Sequence, residues 1–163
     1  MMRYFAPLAF VTVIASAMGM EGPWKEYINP RFGFRISYPI SLVASPDPQN
    51  GGGREFHTKD NAFSLATFGS FFTGGANSFE ASWAEELKQD DITYKRKTAD
   101  WYVVSGVRKN GVEYYHKLCR QGNNAAGFEI TYPHARNAEF DPWVEHIEKN
   151  FTPFLKGDFD RVK

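Results

Sequence analysis

The sequence predicts an α+β fold in which two main helices pack on a single antiparallel β-sheet of about six to eight strands. Three observations support this prediction. Several short segments alternate apolar and polar residues, two segments repeat apolar residues at helical spacing, and an Asn-Gly pair joins two apolar runs. The 163 residues suit one domain, which we place at 24–155, followed by a polar tail at 156–163.

The composition excludes several classes of protein. Lys plus Arg and Asp plus Glu each number 19, so the chain lacks the basic excess of a protein that binds nucleic acid by charge. The 15 Phe, 8 Tyr and 4 Trp give an aromatic content that disordered chains do not have. The single cysteine, Cys119, excludes an intramolecular disulfide, and we expect it to be buried.

The N-terminus predicts export. Arg3 precedes an apolar run that is short for a membrane-spanning helix, and Ala15-Ser16-Ala17 supplies the small residues of a cleavage site. We expect a cleaved signal peptide at 1–17 and a mature protein that is periplasmic or secreted, without stable membrane insertion. An uncleaved anchor and a misassigned start are the alternatives.

The first half of the domain reads as four strands followed by a helix. Alternation and turn residues place the strands at 26–29, 33–38, 54–58 and 63–68. Loops rich in Gly fill 41–53 and 69–77.

A capping box of Asn77 and Glu80 predicts the start of the first helix. The apolar stripe that faces the sheet comprises Phe79, Trp83 and Leu87. We therefore expect Trp83 to be mostly buried and Glu86 to lie on the solvated face.

The clearest hairpin turns at Asn110-Gly111. A two-residue turn there pairs Arg108 with Glu113 and Val107 with Tyr114 across the strands. One face of the hairpin then carries Trp101, Val103, Val107, Val112, Tyr114 and Leu118, and the other carries Tyr102, Val104, Tyr115 and Cys119.

The remaining elements are two strands and a helix. Lys95, Arg96 and Lys97 indicate an exposed edge strand, and 128–132 alternates as a further strand. Asp141-Pro142 predicts the start of the last helix. Its inward-facing residues are Val144, Ile147 and Phe151.

A resemblance rests on two segments. Residues 27–39 read Tyr-Ile-Asn-Pro-Arg-Phe-Gly-Phe-Arg-Ile-Ser-Tyr-Pro, and 50–56 read Asn-Gly-Gly-Gly-Arg-Glu-Phe. The first segment resembles the opening of PsbP-like domains. Together they resemble exported bacterial proteins of unassigned function, which usually carry Asp where Gly52 stands. The resemblance implies a PsbP-like α/β/α sandwich and says little about activity.

No catalytic residue, metal site or cofactor is predicted. The sequence contains no nucleophile elbow, zinc-protease motif or phosphate-binding loop. His116 and Cys119 lie three residues apart on a strand and therefore point to opposite faces, so we interpret His116 as a core histidine. Asp47, Asn50 and Asp60 are weak candidates for a cation site, at spacings that match no calcium loop.

Four residues are candidates for binding. Phe71 and Phe72 are adjacent in a Gly-rich loop, where both cannot easily enter one core. His134 and Arg136 follow the last predicted strand, and residues at such loop ends often bind ligands.

These features favour a non-catalytic exported binding or accessory protein whose partner is another protein of the cell envelope. A small periplasmic hydrolase or metal-dependent enzyme that uses His134, Arg136 and loop carboxylates is one alternative. An immunity-type inhibitor of a toxin and a carrier of a small ligand or cation are two others.

Overall fold

The computed structural model describes residues 22–156, which form nine strands, two helices and one 3-10 turn. The strands are β1 Trp24–Asn29, β2 Phe34–Pro39, β3 Val43–Ala44, β4 Gly53–His57, β5 Ser64–Phe71, β6 Ile92–Lys97, β7 Trp101–Val107, β8 Val112–Gln121 and β9 Asn124–Pro133. The helices are α1 Phe79–Glu86 and α2 Asn137–Asn150, with the 3-10 turn at His134–Arg136. The predicted signal peptide at 1–17 and residues 157–163 of the predicted tail lie outside the described residues.

A seven-stranded antiparallel sheet in the order β3-β4-β5-β9-β8-β7-β6 forms the centre of the domain. The α+β prediction is thereby confirmed. One difference is that β1 and β2 form a separate two-stranded sheet. Arg35 of β2 exchanges two backbone hydrogen bonds of 2.9 Å with Thr152, which follows α2. This pairing occupies the edge of β2 that faces away from β1, so β2 cannot extend the main sheet there.

Helix α2 and the β1–β2 hairpin cover one face of the main sheet, which we call the α2 face. The largest fully buried residues of this core are Phe34, Ile36, Phe56, Phe63, Leu65, Phe128, Ile130, Phe140 and Ile147. Val144, Ile147 and Phe151 are buried here as predicted, and the rings of Phe151 and Phe128 meet edge to face at 5.0 Å.

Helix α1 lies on the opposite face, which we call the α1 face. Its smaller core comprises Phe79, Tyr102, Val104, Tyr114, Leu118 and Ala125. Of the predicted helical stripe only Phe79 is fully buried. Trp83 packs on Tyr102 at a ring distance of 5.3 Å but stays partly exposed, and Leu87 is 38% exposed. Trp83 is therefore mostly covered, as predicted, whereas Leu87, which follows the last residue of the helix, is not buried.

The predicted register of the β7–β8 hairpin is wrong by one residue. Gly106, not Val107, lies opposite Tyr114. The turn is longer than two residues: the N–H of Gly111 donates to the carbonyl of Arg108 at 2.8 Å, and Gly111 has a φ of 78°. A turn closed by glycine in the left-handed region adds one residue to the connection and shifts every pair that follows.

This slip exchanges faces, because side chains alternate along a strand. Tyr102 lies with Tyr114 on the α1 face, whereas the prediction placed them on opposite faces. The predicted ion pair of Arg108 with Glu113 is also wrong, since the guanidinium of Arg108 lies 3.4 Å from Glu129 of β9.

Both helices begin at other residues than predicted. The hydroxyl of Ser78, not the side chain of Asn77, accepts the hydrogen bond from the backbone of Ala81 at 3.2 Å and caps α1. Asn77 instead donates to the hydroxyl of Thr73 at 3.0 Å.

Helix α2 begins at Asn137, four residues before Asp141, and contains Pro142 in its interior. Proline lacks the N–H that would bond to the preceding turn. The early start places Phe140, which is 0% exposed, on the buried side of the first turn, and this burial offsets the missing hydrogen bond.

Asn29 shows why the sequence motif reports fold rather than activity. Its side chain is fully buried, and its oxygen accepts hydrogen bonds from the N–H groups of Arg31 and Phe32 at 3.0 and 2.9 Å. Its amide nitrogen donates to the carbonyl of Gly51 at 3.0 Å and to the hydroxyl of Tyr27 at 3.2 Å. The asparagine therefore fixes the β1–β2 turn and ties it to the glycine loop.

Strand β6 ends the sheet, so Lys95, Arg96 and Lys97 lie on an edge as predicted. The ammonium group of Lys97 also lies 3.0 Å from Glu80 of α1. Within residues 22–156, none of the helices is both long and apolar enough to cross a membrane.

Candidate functional site

A cleft of about 790 Å³ opens on the α1 face, between α1 and the central strands. Its chemistry is set by six lining residues: Phe68, Phe72, Glu86, Tyr102, His116 and Glu129. These come from β5, the segment after β5, α1, β7, β8 and β9, so the cleft exists only once the sheet has formed and α1 has packed on it.

His116 and Glu86 form a half-buried pair in the cleft. Nδ1 of His116 lies 2.7 Å from a carboxylate oxygen of Glu86, and their side chains are 14% and 18% exposed. The other oxygen of Glu86 accepts from the side chain of Gln89 at 2.7 Å. Because a carboxylate accepts only, Nδ1 carries the proton and Nε2 is left for other contacts. No hydrogen bond to Nε2 is present within residues 22–156.

Tyr102 lines the same cleft and is 1% exposed. Its ring packs against Phe79 at 5.4 Å and meets the edge of His116 at 5.8 Å. Burial raises the pKa of Tyr102, and the negative charge of Glu86 raises it further. The hydroxyl forms no hydrogen bond with any residue in the described range 22–156, although buried tyrosine hydroxyls usually find a partner.

The lining is acidic overall. Glu129 lies directly across from His116 in the β8–β9 register and adds a second carboxylate, whose partner is Arg108 at 3.4 Å. At the rim, Glu85 and Lys88 pair with each other at 2.5 Å. The cleft thus combines carboxylates, an imidazole and aromatic rings.

The described part of the cleft lacks a nucleophile arranged for catalysis. The hydroxyl of Ser82 donates to the carbonyl of Ser78 at 3.0 Å, and no Ser, Thr or Cys side chain of residues 22–156 hydrogen-bonds to His116. Cys119 lies on the α2 face, away from His116, as the sequence predicted. It is 5% exposed, and burial raises the pKa of its thiol to about 11, so the thiol stays protonated at neutral pH.

Phe71 and Phe72, the adjacent phenylalanines, lie apart. Phe72 lines the cleft and contacts Phe79 edge to face at 6.2 Å. Phe71 is the last residue of β5, not part of a loop, and is 50% exposed. The ring of Phe71 lies 5.0 Å from the ring of Phe32. The guanidinium of Arg31 lies over the ring of Phe32, 5.1 Å from its centre. We call Arg31, Phe32 and Phe71 the aromatic tip.

Gly69 makes the aromatic tip possible. A Cβ at this position would lie 2.3 Å from Cγ of Phe32, far inside contact distance. Phe32 therefore lies directly over the backbone of β5, where only glycine leaves room for the ring.

The structure does not bring His134 and Arg136 to the aromatic tip. Nδ1 of His134 lies 2.8 Å from Glu113. The guanidinium of Arg136 binds Glu139 through two bonds of 2.8 and 2.7 Å and Asp60 at 2.8 Å. These carboxylates raise the pKa of Arg136, and hydrogen bonds from Thr58 and Arg136 lower that of Asp60. His134 is therefore hydrogen-bonded to a carboxylate, and Arg136 is engaged in ion pairs with two carboxylates.

The three weak candidates for a cation site lie in separate interactions. Asp47 pairs with Arg54 at 3.2 Å, and Asp60 pairs with Arg136. The side-chain oxygen of Asn50 accepts from the backbone of Gly52 at 2.9 Å. Among the described residues, no group of three or more His, Cys, Asp or Glu side chains is arranged to hold a metal ion.

Glu86, Tyr102 and Glu129 were missed as site residues by sequence reasoning. Glu86 was placed on the solvated face of α1, whereas its side chain turns under the helix to His116, thirty residues away. One signal was available: a histidine on an apolar sheet face requires a polar partner, and the acidic side chains of a helix that packs on that face can supply it.

Among the solved structures similar to this chain is cyanobacterial PsbP (CyanoP) from Synechocystis sp. PCC 6803. It shares 13% sequence identity and superimposes with a TM-score of 0.57 over 83% of this chain and 96% of that chain. The fold is PsbP-like.

A second similar structure is a protein from Bacteroides thetaiotaomicron VPI-5482, with 18% identity and a TM-score of 0.54. The match covers 85% of this chain and 51% of that chain, so this PsbP-like domain corresponds to about half of the longer protein. None of the protein-family models and none of the curated proteins matches the chain. At these identities the likeness shows the fold alone, and function has to be argued from the chain's own surface.

Proposed function

We propose that this chain is an exported, non-catalytic binding protein that docks on another protein of the cell envelope through its aromatic tip. One observation carries the proposal: Phe71 is a large apolar side chain that is 50% exposed and is held by Phe32 rather than by the core. Exposed aromatic residues flanked by arginine are typical anchors of protein interfaces.

The fold itself positions Phe32 in the aromatic tip. The backbone N–H of Phe32 donates to the side-chain oxygen of Asn29, and the space above Gly69 fixes where the ring of Phe32 lies. A side chain that is already immobile loses little conformational entropy on binding, so more of the contact energy remains as affinity.

The histidines and the thiol support a binding role over a catalytic one. His116 and His134 each contact a carboxylate, and the thiol of Cys119 is buried and protonated. A hydrolase of the serine or cysteine type needs a nucleophile within hydrogen-bond reach of such a base.

Site-specific photo-crosslinking in the source cells tests the docking proposal. A photoreactive phenylalanine analogue replaces Phe71 in one variant and Tyr94 in the control, because both residues are aromatic, lie on strands and are 50% exposed. The proposal expects one identified envelope protein to be crosslinked at position 71 and not at position 94. That partner, once purified, should bind Phe71→Ser at least about tenfold more weakly than Tyr94→Ser.

Two results would overturn the proposal. One is an equal crosslinking pattern at both positions, and the other is a purified partner that binds the two serine variants equally. If the captured partner is a toxin, the immunity-type version of the binding role is selected.

Export is part of the same proposal and has its own test. The short apolar run and the small residues before Met18 favour cleavage after Ala17. Cell fractionation followed by N-terminal sequencing should find the mature chain outside the cytoplasm and beginning at Met18. A full-length chain in the cytoplasm would contradict export.

A further inference from the structure

We infer that the cleft on the α1 face is a binding site for an organic cation, that is, an ammonium or guanidinium group carried on an apolar body. This site is separate from the aromatic tip and does not depend on the docking proposal. It rests on Glu86, Glu129, Tyr102 and the aromatic side chains around them.

The charges of the lining favour a cation. Glu85, Glu86 and Glu129 contribute three carboxylates to the cleft, and Lys88 contributes one ammonium group that is already bound to Glu85. Arg108 offsets part of the charge of Glu129 from outside the lining. A positive ligand is therefore attracted into the cleft, and a negative ligand is repelled.

The hydroxyl of Tyr102 points to the same class of ligand. It forms no hydrogen bond with residues 22–156, it belongs to a residue that is 1% exposed, and it lies at the cleft close enough for the charge of Glu86 to act on it. A ligand N–H can donate to the hydroxyl oxygen and to the carboxylate of Glu86 at once. A ligand that only accepts hydrogen bonds would satisfy Tyr102 but would face the carboxylates of Glu86 and Glu129.

Aromatic rings suit the rest of such a ligand. Phe68 and Phe72 are partly buried residues of the α1 face, and both line the cleft with Tyr102. Rings of this kind attract cations through their faces and bury the apolar part of a ligand. The volume of about 790 Å³ accommodates a small amine or one basic side chain of a larger molecule.

Three probes that share one aromatic ring but differ in charge test whether the cleft recognises positive charge. Benzylamine is cationic at pH 7, benzyl alcohol is neutral and benzoate is anionic, while all three carry the same ring. Each is titrated into the purified mature chain and followed by shifts of backbone amide NMR signals. We expect benzylamine to bind at least about tenfold more tightly than benzyl alcohol, with shifts confined to α1 and to the strands around His116.

Three variants locate the site. Glu86→Gln removes one cleft carboxylate, and Tyr102→Phe removes only a hydroxyl that has no partner to lose. Glu145→Gln is the matched control, because this exposed residue lies on α2 and its loss changes the net charge equally. Benzylamine binding should weaken about tenfold in Glu86→Gln, about threefold in Tyr102→Phe, and not at all in Glu145→Gln.

The outcomes decide the inference. If benzyl alcohol or benzoate binds as tightly as benzylamine, the ligand is not recognised by its positive charge and the inference fails. It also fails if Glu86→Gln and Glu145→Gln weaken binding equally, since attraction would then come from net charge alone. If Glu86→Gln folds poorly, Tyr102→Phe decides alone. The inference then fails if Tyr102→Phe binds benzylamine as tightly as the parent and the benzylamine-induced NMR shifts lie outside the cleft.

Discussion

The two faces of the main sheet are packed to different degrees. Among residues 22–156, fifteen buried residues form one core on the α2 face, and α2 contributes Phe140, Val144 and Ile147 to it. On the α1 face six buried residues form the core, and α1 contributes only Phe79. The α2 face is a scaffold, whereas the α1 face leaves a cleft in which polar groups remain half-buried.

The difference follows from what covers each face. Helix α2 has 14 residues, and the β1–β2 hairpin shares its face, whereas α1 has 8 residues and is the only helix on the other face within residues 22–156. A short helix cannot exclude water from a seven-stranded sheet, and this is why His116 and Glu86 meet near solvent rather than inside a dry core.

The largest expected effect contrasts one aromatic residue from each helix. Phe140→Ala on the α2 face should lower the free energy of unfolding by about 3–5 kcal/mol, because the removed ring is 0% exposed and leaves a cavity. Trp83→Ala should cost about half as much, since Trp83 is only partly buried. Urea unfolding of both variants measures the difference. Equal losses would show that the two faces are equally packed.

Asn29→Ala tests the scaffold on the α2 face through a polar group. The substitution leaves several partly buried backbone groups without their hydrogen bonds to this fully buried side chain and should cost about 2–3 kcal/mol. Asn50→Ala is the control, because its side chain makes one exposed hydrogen bond to Gly52, and it should cost less than about 1 kcal/mol. Thermal and urea unfolding read out both values. If Asn29→Ala lowers the free energy of unfolding as little as Asn50→Ala does, the motif has no structural role.

Glu86→Ala and Glu85→Ala sharpen the comparison on the α1 face. Their side chains are 18% and 72% exposed, and only Glu86 contacts His116. Glu86→Ala should cost about 1–2 kcal/mol, while Glu85→Ala should stay within about 0.5 kcal/mol of the parent. Two equal and small effects would instead support the prediction from the sequence that Glu86 lies on the solvated face.

The smallest effect concerns the thiol of Cys119 on the α2 face. Burial raises its pKa from 9.0 to about 11, so the folded state favours the protonated thiol. The associated stability is complete below about pH 9 and is lost as the pH rises towards 11. A thiol reagent at pH 8 should therefore react with the folded chain much more slowly than with the chain in urea. Equal rates would show that Cys119 is accessible.

The sequence predicted the elements of the fold better than their exact pairing. Alternation located the strands, and the Asn29 segment pointed to the PsbP-like fold, because both signals are local. The β7–β8 register was missed because Asn110-Gly111 fits a two-residue turn and a longer one, and only packing against Tyr114 selects between them. The start of α2 was missed because Asp141-Pro142 resembles a helix start, whereas burial of Phe140 extends the helix backwards.

The cleft could not be predicted in this way. Its residues come from five secondary-structure elements and the segment after β5, and the pairing of Glu86 with His116 depends on how far α1 rotates on the sheet. The unpartnered hydroxyl of Tyr102 also follows from the corrected register, since the predicted one placed that ring on the other face. A sequence shows which residues are polar, but it does not show which of them the fold leaves without a partner.

Hydrogen exchange of backbone amides tests the unequal packing of the two faces most directly. Exchange is measured under native conditions while the denaturant concentration is raised stepwise below the unfolding transition. The amides compared are those of α1, such as Trp83, and those of α2, such as Ile147. If the account is right, α1 amides exchange through a local opening whose free energy is clearly lower than that of α2 and hardly depends on denaturant. Amides of α2 then exchange only through global unfolding, with a steep dependence on denaturant. A common free energy and a common denaturant slope for both helices would contradict it.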